Sequence, residues 1–152
     1  MQLAHYLGLL HRAELALRDA FREVAGAHAD EADVHQLCGR LAEQCDAHAD
    51  RLQPFADRYG EEEHDEPDRL HSELFRGPRE GPLALLRDLH DLYLMASECD
   101  VAWTLIGQAA QGARDDELHQ VVQGCEGETA IQLRWLLTRM KQAAPQALVV
   151  AR

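Results

Sequence analysis

Four long stretches of the chain repeat apolar residues with the period of an α-helix. In the first, about Leu3 to Ala27, the stripe is Leu3, Leu7, Leu10, Leu17, Phe21 and Val24. That spacing keeps all six on one helical face. The second, about Glu31 to Tyr59, carries Val34, Leu37, Leu41, Leu52 and Phe55. Pro54 inside it is expected to kink or shorten the helix, and Gly60 to stop it. Asp30 and Asp33 are the candidate caps at its start. The third runs from about Leu83 to Ala110, with Leu94, Val101 and Leu105 as its stripe, and the fourth from Asp115 to Ala144, with Val121 and Leu136. Gly112 separates these two, and Pro145 is expected to end the last one. Leu148-Val149-Val150 then forms a short apolar tail, suited to docking on the body or on a second subunit.

Residues 60–82 lack such a period. Gly60 to Asp68 is a charge run and reads as solvated loop. Asp68 to Phe75 suits a short helix, and Gly77-Pro78 and Gly81-Pro82 break any longer one. The chain therefore reads as one domain: a hairpin at about 3–59, a connection at 60–82, a second hairpin at about 83–144 and a tail at 145–152. Shifted by 84 residues, the chain partly matches itself without a gap. Leu10 falls on Leu94, Glu14 on Glu98, and Asp33-Val34-His35-Gln36-Leu37 on Glu117-Leu118-His119-Gln120-Val121. Two copies of a helical hairpin with a longer central connection predict an all-α, antiparallel four-helix bundle.

Composition sharpens this picture. Of the 152 residues, 46% are apolar, which is ample for a core without metal or disulfide staples. Leu and Ala dominate that set, which favours helix over strand. A net charge of −12 disfavours nucleic acid and draws cations. No stretch is apolar for long enough to span a bilayer, and the start resembles no secretory signal. Cys38, Cys45, Cys99 and Cys125 form no Cys-x-x-Cys pair, so reduced thiols in a cytoplasm are expected.

Polar residues interrupt the apolar seams. Glu14 lies between Leu10 and Leu17, and Glu98 between Leu94 and Val101. His48 stands between Leu41 and Leu52, with Gln44 one turn before it, and Glu128 lies between Val121 and Leu136, with Gln132 one turn after it. Each alone suits a rim position or a satisfied core residue. Together they predict three carboxylates converging on His48 at mid-bundle, a charge that a divalent cation would neutralise. Cys45 and Cys125 lie three residues before His48 and Glu128, where small buried hydrophobes also fit. Trp103 and Trp135 read as core or interface anchors. No Ser/His/Asp or Cys/His/Asn set points to a hydrolase.

His-Arg-Ala-Glu at His11 to Glu14 and His-Ala-Asp-Arg-Leu at His48 to Leu52 resemble the first two helices of the ferritin-like superfamily, bacterioferritins and small bacterial ferritin-like proteins among them. The resemblance covers both hairpins. It implies a two-hairpin bundle holding a di-iron centre, with one Glu on the first and third helices and Glu-x-x-His on the second and fourth. Glu14 and Glu98 fit the single-Glu positions, and His48 fits the second-helix His. Cys45 stands where a Glu belongs, and Thr129 and Gln132 stand where Glu and His belong; Glu128 is one position off. The site residues so implied are Glu14, His48, Glu98 and Glu128, with Gln44, Cys45 and Gln132 beside them. The leading expectation is a ferritin-like protein with a modified non-haem metal site, holding iron first and zinc or manganese as alternatives, with a redox or metal-handling role. The other is a metal-free helical interaction module with an eroded site. A homodimer is expected, acting on no nucleic acid or membrane, with its small-molecule substrate unidentified.

Overall fold

The computed structural model describes residues 2–60 and 75–151. The expected short helix at Asp68 to Phe75, except Phe75 itself, and most of the charge run lie outside them. The described residues form four long helices and no strand: α1 (Gln2–Ala27), α2 (Ala32–Tyr59), α3 (Ala84–Gly112) and α4 (Asp116–Pro145), with a π-helical turn at Gln146–Val150. Among them, no helix is long and apolar enough to cross a membrane.

The helices pack as two hairpins laid side by side. α1 packs chiefly on α2, α3 on α4, and α1 also lies against α3. Hydrogen bonds give the sense of each pair. His35 meets the Ala25 carbonyl, Arg18 meets Asp46 and His48 meets Glu14, so α2 descends as α1 rises. Thr104 with Glu126 and Gln111 with His119 do the same for α3 and α4. α2 and α4 approach each other least closely of the neighbouring pairs. Long side chains bridge that seam instead: Arg139 reaches Asp33 and Glu31 at one end, and Arg58 reaches Asp115 and Glu117 at the other.

The stripe read for α1 is buried throughout, and α2 buries Val34, Leu41, Leu52 and Phe55 as expected. α3 corrects its reading. Leu94, Val101 and Leu105 face outward, Val101 with 56% of its surface exposed. The buried face is Leu89, Leu92, Met95, Ala96, Cys99, Ala102, Trp103 and Ile106. α3 carries apolar residues on more than one face, so period alone does not choose between them, and the 84-residue match selects the wrong one. For α2 and α4 the same offset works: Val34, Cys38, Cys45, His48 and Leu52 are buried, and so are Leu118, Val122, Thr129, Gln132 and Leu136.

Helix ends bring further corrections. Pro54 does not shorten α2, which continues to Tyr59; Gly60 then takes φ 76°, a left-handed conformation suited to glycine. Glu31, not Asp30 or Asp33, is the residue before α2, and it makes no side-chain capping bond. α4 ends at Pro145 as expected, but a wide turn continues from it: at φ −61° the proline ring fits helical backbone, and the Ala151 N–H closes the turn on the Gln146 carbonyl at 2.8 Å. The tail does not dock on the body, for Leu148, Val149 and Val150 are exposed. Asp115 caps α4 by accepting from the Leu118 N–H at 3.1 Å.

A buried ionic latch fixes the start of the second hairpin. Asp88 is fully buried, and it meets His28 Nε2 at 2.8 Å, the Arg79 N–H at 3.2 Å and the Arg79 guanidinium at 3.0 Å. The same guanidinium meets Asp91 at 2.7 Å. The chain ahead of α3 is thereby tied to the turn after α1.

Two outcomes check this arrangement. Val101→Glu should change unfolding free energy in urea by no more than about 0.5 kcal/mol, while Ala102→Glu, which buries an unpaired carboxylate, should cost about 3 kcal/mol or more. Asp115→Ala should cost about 1 kcal/mol at neutral pH through loss of the cap. Tyr59 above all, then the Leu118 N–H and Arg58, hold the Asp115 carboxyl below its ordinary 3.8. A depressed carboxyl stabilises fully above that ordinary value and loses its contribution as pH falls through the folded one. The difference between the parent and Asp115→Ala should therefore close in acid.

Candidate functional site

The site starts from a carboxylate with nowhere to hydrate. Glu14, on the buried stripe of α1, is 1% exposed. Its Oε1 accepts from the Trp103 indole N–H at 2.8 Å and lies 3.2 Å from His48 Nδ1. The Trp103 and His48 rings meet edge to face, their centroids 5.8 Å apart. Three helices thus fix one imidazole: α1 by its carboxylate, α3 by its indole, and α2 by carrying the ring. With Glu14 facing Nδ1, the ring's other nitrogen, Nε2, is turned away from α1.

Nε2 points across the wide seam toward α4. It is buried, it has no hydrogen-bond partner, and Glu128 Oε2 lies 3.4 Å away. Glu128 stands at the seam edge with its side chain 40% exposed. One turn along, Gln132 Nε2 donates to Gln44 Oε1 at 2.6 Å and lies 3.8 Å from Cys45 Sγ. One turn the other way, Arg51 comes within 4.0 Å of Glu128 Oε1. Gln44, His48 and Arg51 therefore face Gln132, Glu128 and the Gly124 surface as successive rungs across the seam. Glu14 Oε2 and Gln132 Oε1 are also buried without partners. Such atoms in a packed core mark a place where water or a cation is needed.

Of the expected site residues, the structure gathers Glu14, His48, Glu128, Gln44, Cys45 and Gln132. Glu98 is not on the buried face: it is half-buried, and Cys99 beside it takes the inward position. The rotation of α3 is the cause. Glu14 faces the Nδ1 side of His48, and Glu128 the Nε2 side, so the carboxylates flank the ring instead of meeting at one point. Among the described residues, no three His, Cys, Asp or Glu side chains gather in a way that would hold a metal ion. Sequence reasoning takes Trp103 as a core or interface anchor, and it is buried, but misses its N–H as the donor to Glu14; it passes over Arg51, one turn beyond His48.

The cysteines are free and buried. Burial pushes the Cys45 and Cys99 thiols well above their ordinary range, and the charge of Glu14 adds to it. Burial pushes Cys38 and Cys125 up to about 12. The sulfur beside His48 is therefore a thiol, not a thiolate, at neutral pH.

No family model, curated protein or solved structure matches this chain. The thiols give the first check: a disulfide dye at pH 8 should leave all four cysteines unlabelled in the folded protein over minutes, and label all four in denaturant. Rapid labelling of Cys45 in folded protein would show that the core beside His48 is open to solvent.

Proposed function

We propose that this chain is a ferritin-like four-helix bundle whose site, modified from a two-metal centre, holds one divalent cation on His48 Nε2 and Glu128 Oε2 at the α2–α4 seam. The observation that carries this reading is the buried, unpartnered Nε2 lying 3.4 Å from a carboxylate oxygen. Two donors on one tetrahedral ion, each about 2.0–2.1 Å from it, lie about 3.3 Å apart. A hydrogen bond of that length would be poor.

The rest of the cluster supports it. A ligating His ordinarily donates its other N–H to a carboxylate, which fixes the ring and its tautomer. Glu14 is in that place, and Trp103 holds Glu14 in turn. Glu14 is then a positioning residue and not a ligand. Gln132 offers an amide oxygen one turn from Glu128, and the remaining positions fall to water or substrate. Nitrogen and oxygen donors of this kind suit iron(II), zinc or manganese, and a protonated Cys45 is not needed. A bound ion with open positions would supply Lewis acidity, or electron transfer if redox-active. A two-iron centre does not fit, because Glu98 lies off the buried face of α3 and Thr129 and Gln132 replace two ligands. Binding requires Nε2 free of a proton, so acid opposes it.

One further observation favours the other reading, a metal-free module for protein association. Leu94, Val101 and Leu105 form an exposed apolar row on α3, suited to a second copy of the chain. Cobalt(II) titration followed by absorption and calorimetry separates the two. The metal-site reading expects one equivalent bound, loss of binding in His48→Ala, affinity about 10–100-fold weaker in Glu14→Gln, and no change in Glu98→Gln. Absence of stoichiometric binding, with His48→Leu more stable than the parent, would make the site a relic and the association module the better account.

A further inference from the structure

We infer that two copies of this chain pair through the outer face of α3, each seating its turn at Gln146–Val150 in a groove between α1 and α3 of the other. The inference does not rest on the metal-site reading. α1 with α3 and α2 with α4 form opposite sides of the body, so a pair made on the first side leaves the seam of His48 and Glu128 open.

The groove lies where α1 begins and α3 ends. It is lined by Gln2, Leu3, Tyr6, Leu105, Ile106 and Ala109, and its volume is about 230 Å³. Apart from Gln2 and the Tyr6 hydroxyl, these side chains are apolar. A cavity of about 150 Å³ takes a benzene ring, so this groove has room for two aliphatic side chains. The same chain carries the matching group. Leu148, Val149 and Val150, on the turn after α4, are 64%, 81% and 62% exposed. That turn cannot fill its own groove. It starts beside the beginning of α3, where Gln146 and Ala147 share a cavity with Leu85 and Leu86. About twenty residues of α3, roughly 30 Å of helix, separate that end from Leu105. A second copy is the occupant that brings turn and groove together.

The surface between the two ends suits a two-fold pair. Leu83, Leu94, Val101 and Leu105 follow one another at intervals that keep them on one stripe along the outside of α3, and all four are exposed. The stripe runs into the groove at Leu105. Set antiparallel on its own copy, it brings each turn to the other's groove, with the axis between Leu94 and Val101. Such a pair closes on itself, since each copy gives one turn and one groove. The area is sufficient as well. At roughly 100 Å² of apolar surface per large aliphatic side chain, the stripe and the turn together expose about 400 Å² per copy. With about 60% of an interface apolar, the whole comes to roughly 700 Å² per copy, near the 800 Å² or so that each side of a stable pair buries. The net charge of −12 on each copy opposes pairing, so salt that screens it should tighten the pair.

Sedimentation equilibrium of the full chain at micromolar concentration tests this. A dimer of the 17.1 kDa chain is expected and no larger species, with affinity rising from low to moderate salt. Val149→Glu on the turn and Ala109→Glu in the groove should each weaken the pair about tenfold or more, because a carboxylate would be buried against apolar side chains. Both positions are exposed in the single copy, so circular dichroism should show each variant folded. Mixing the two variants is the decisive arm. The mixed pair keeps one intact turn facing one intact groove, so it should associate more tightly than either variant alone. No gain on mixing overturns the seating of the turn in the groove. A parent that sediments as a monomer, or association unchanged in both variants, overturns the pair. Species that keep growing with concentration overturn the two-fold arrangement in favour of a head-to-tail chain. Glu128→Gln should leave the dimer unchanged, and a dimer lost in that variant overturns its placement on the α1–α3 side.

Discussion

Glu14 is removed from water, and the middle of the molecule is arranged around keeping it so. An ionised carboxylate in such a place is tolerated only with donors or a cation close by. Trp103 supplies one donor and His48 the other, both to the same oxygen. That single oxygen ties α1 to α2 within a hairpin and α1 to α3 between hairpins. It also decides which way the imidazole faces. With Nδ1 engaged toward α1, Nε2 can only look toward α4, where the packing is loosest. A core interaction thereby aims the unpartnered ring nitrogen of the site at the opening.

The looseness of the α2–α4 seam has a matching cause. Close helix packing needs small or interlocking apolar side chains at the contact. Along this seam the facing residues are Gln44, His48, Arg51, Arg58 and Arg139 with Gln132, Glu128, Asp115, Glu117, Asp33 and Glu31. Long polar chains hold helices apart while still joining them. The α1–α3 contact is the reverse, with Leu7, Leu10, Phe21 and Ile106 buried around it. One side of the body is sealed by apolar packing and the other joined by ion pairs, and the candidate site lies on the second.

The helices of α1 and α2 were legible in the sequence because each has one apolar face and a polar remainder. Seam residues Glu14 and His48 were legible for the same reason: each interrupts a face that is otherwise apolar. α3 was not, because Leu94, Val101 and Leu105 form as regular a row as Leu92, Cys99 and Ile106, and only the packing against α1 chooses between them. Choosing by the internal match placed Glu98 in the core. Trp103 was legible as a core residue but not as a donor, since nothing in its spacing shows that Glu14 would come within 2.8 Å of the indole. The latch at Asp88 was hidden because His28, Arg79 and Asp91 come from separate segments.

The two hairpins are chemically unequal, and this bears on the kind of site that can exist. In α2 and α4 the same offset keeps Cys45 opposite Thr129 and His48 opposite Gln132 in burial, so an axis relating the halves would run between these pairs. His48 has a ring nitrogen to give, whereas Gln132 has only an amide oxygen. In α1 and α3 the inward positions are Glu14 on one side and Ala96, Cys99 and Trp103 on the other. The half that would have supplied a second carboxylate supplies an indole, and that indole binds the first carboxylate. A symmetric pair of metal positions needs a carboxylate from each half. Here the second half serves the first, which leaves His48 and Glu128 as the pair that meets across the open seam.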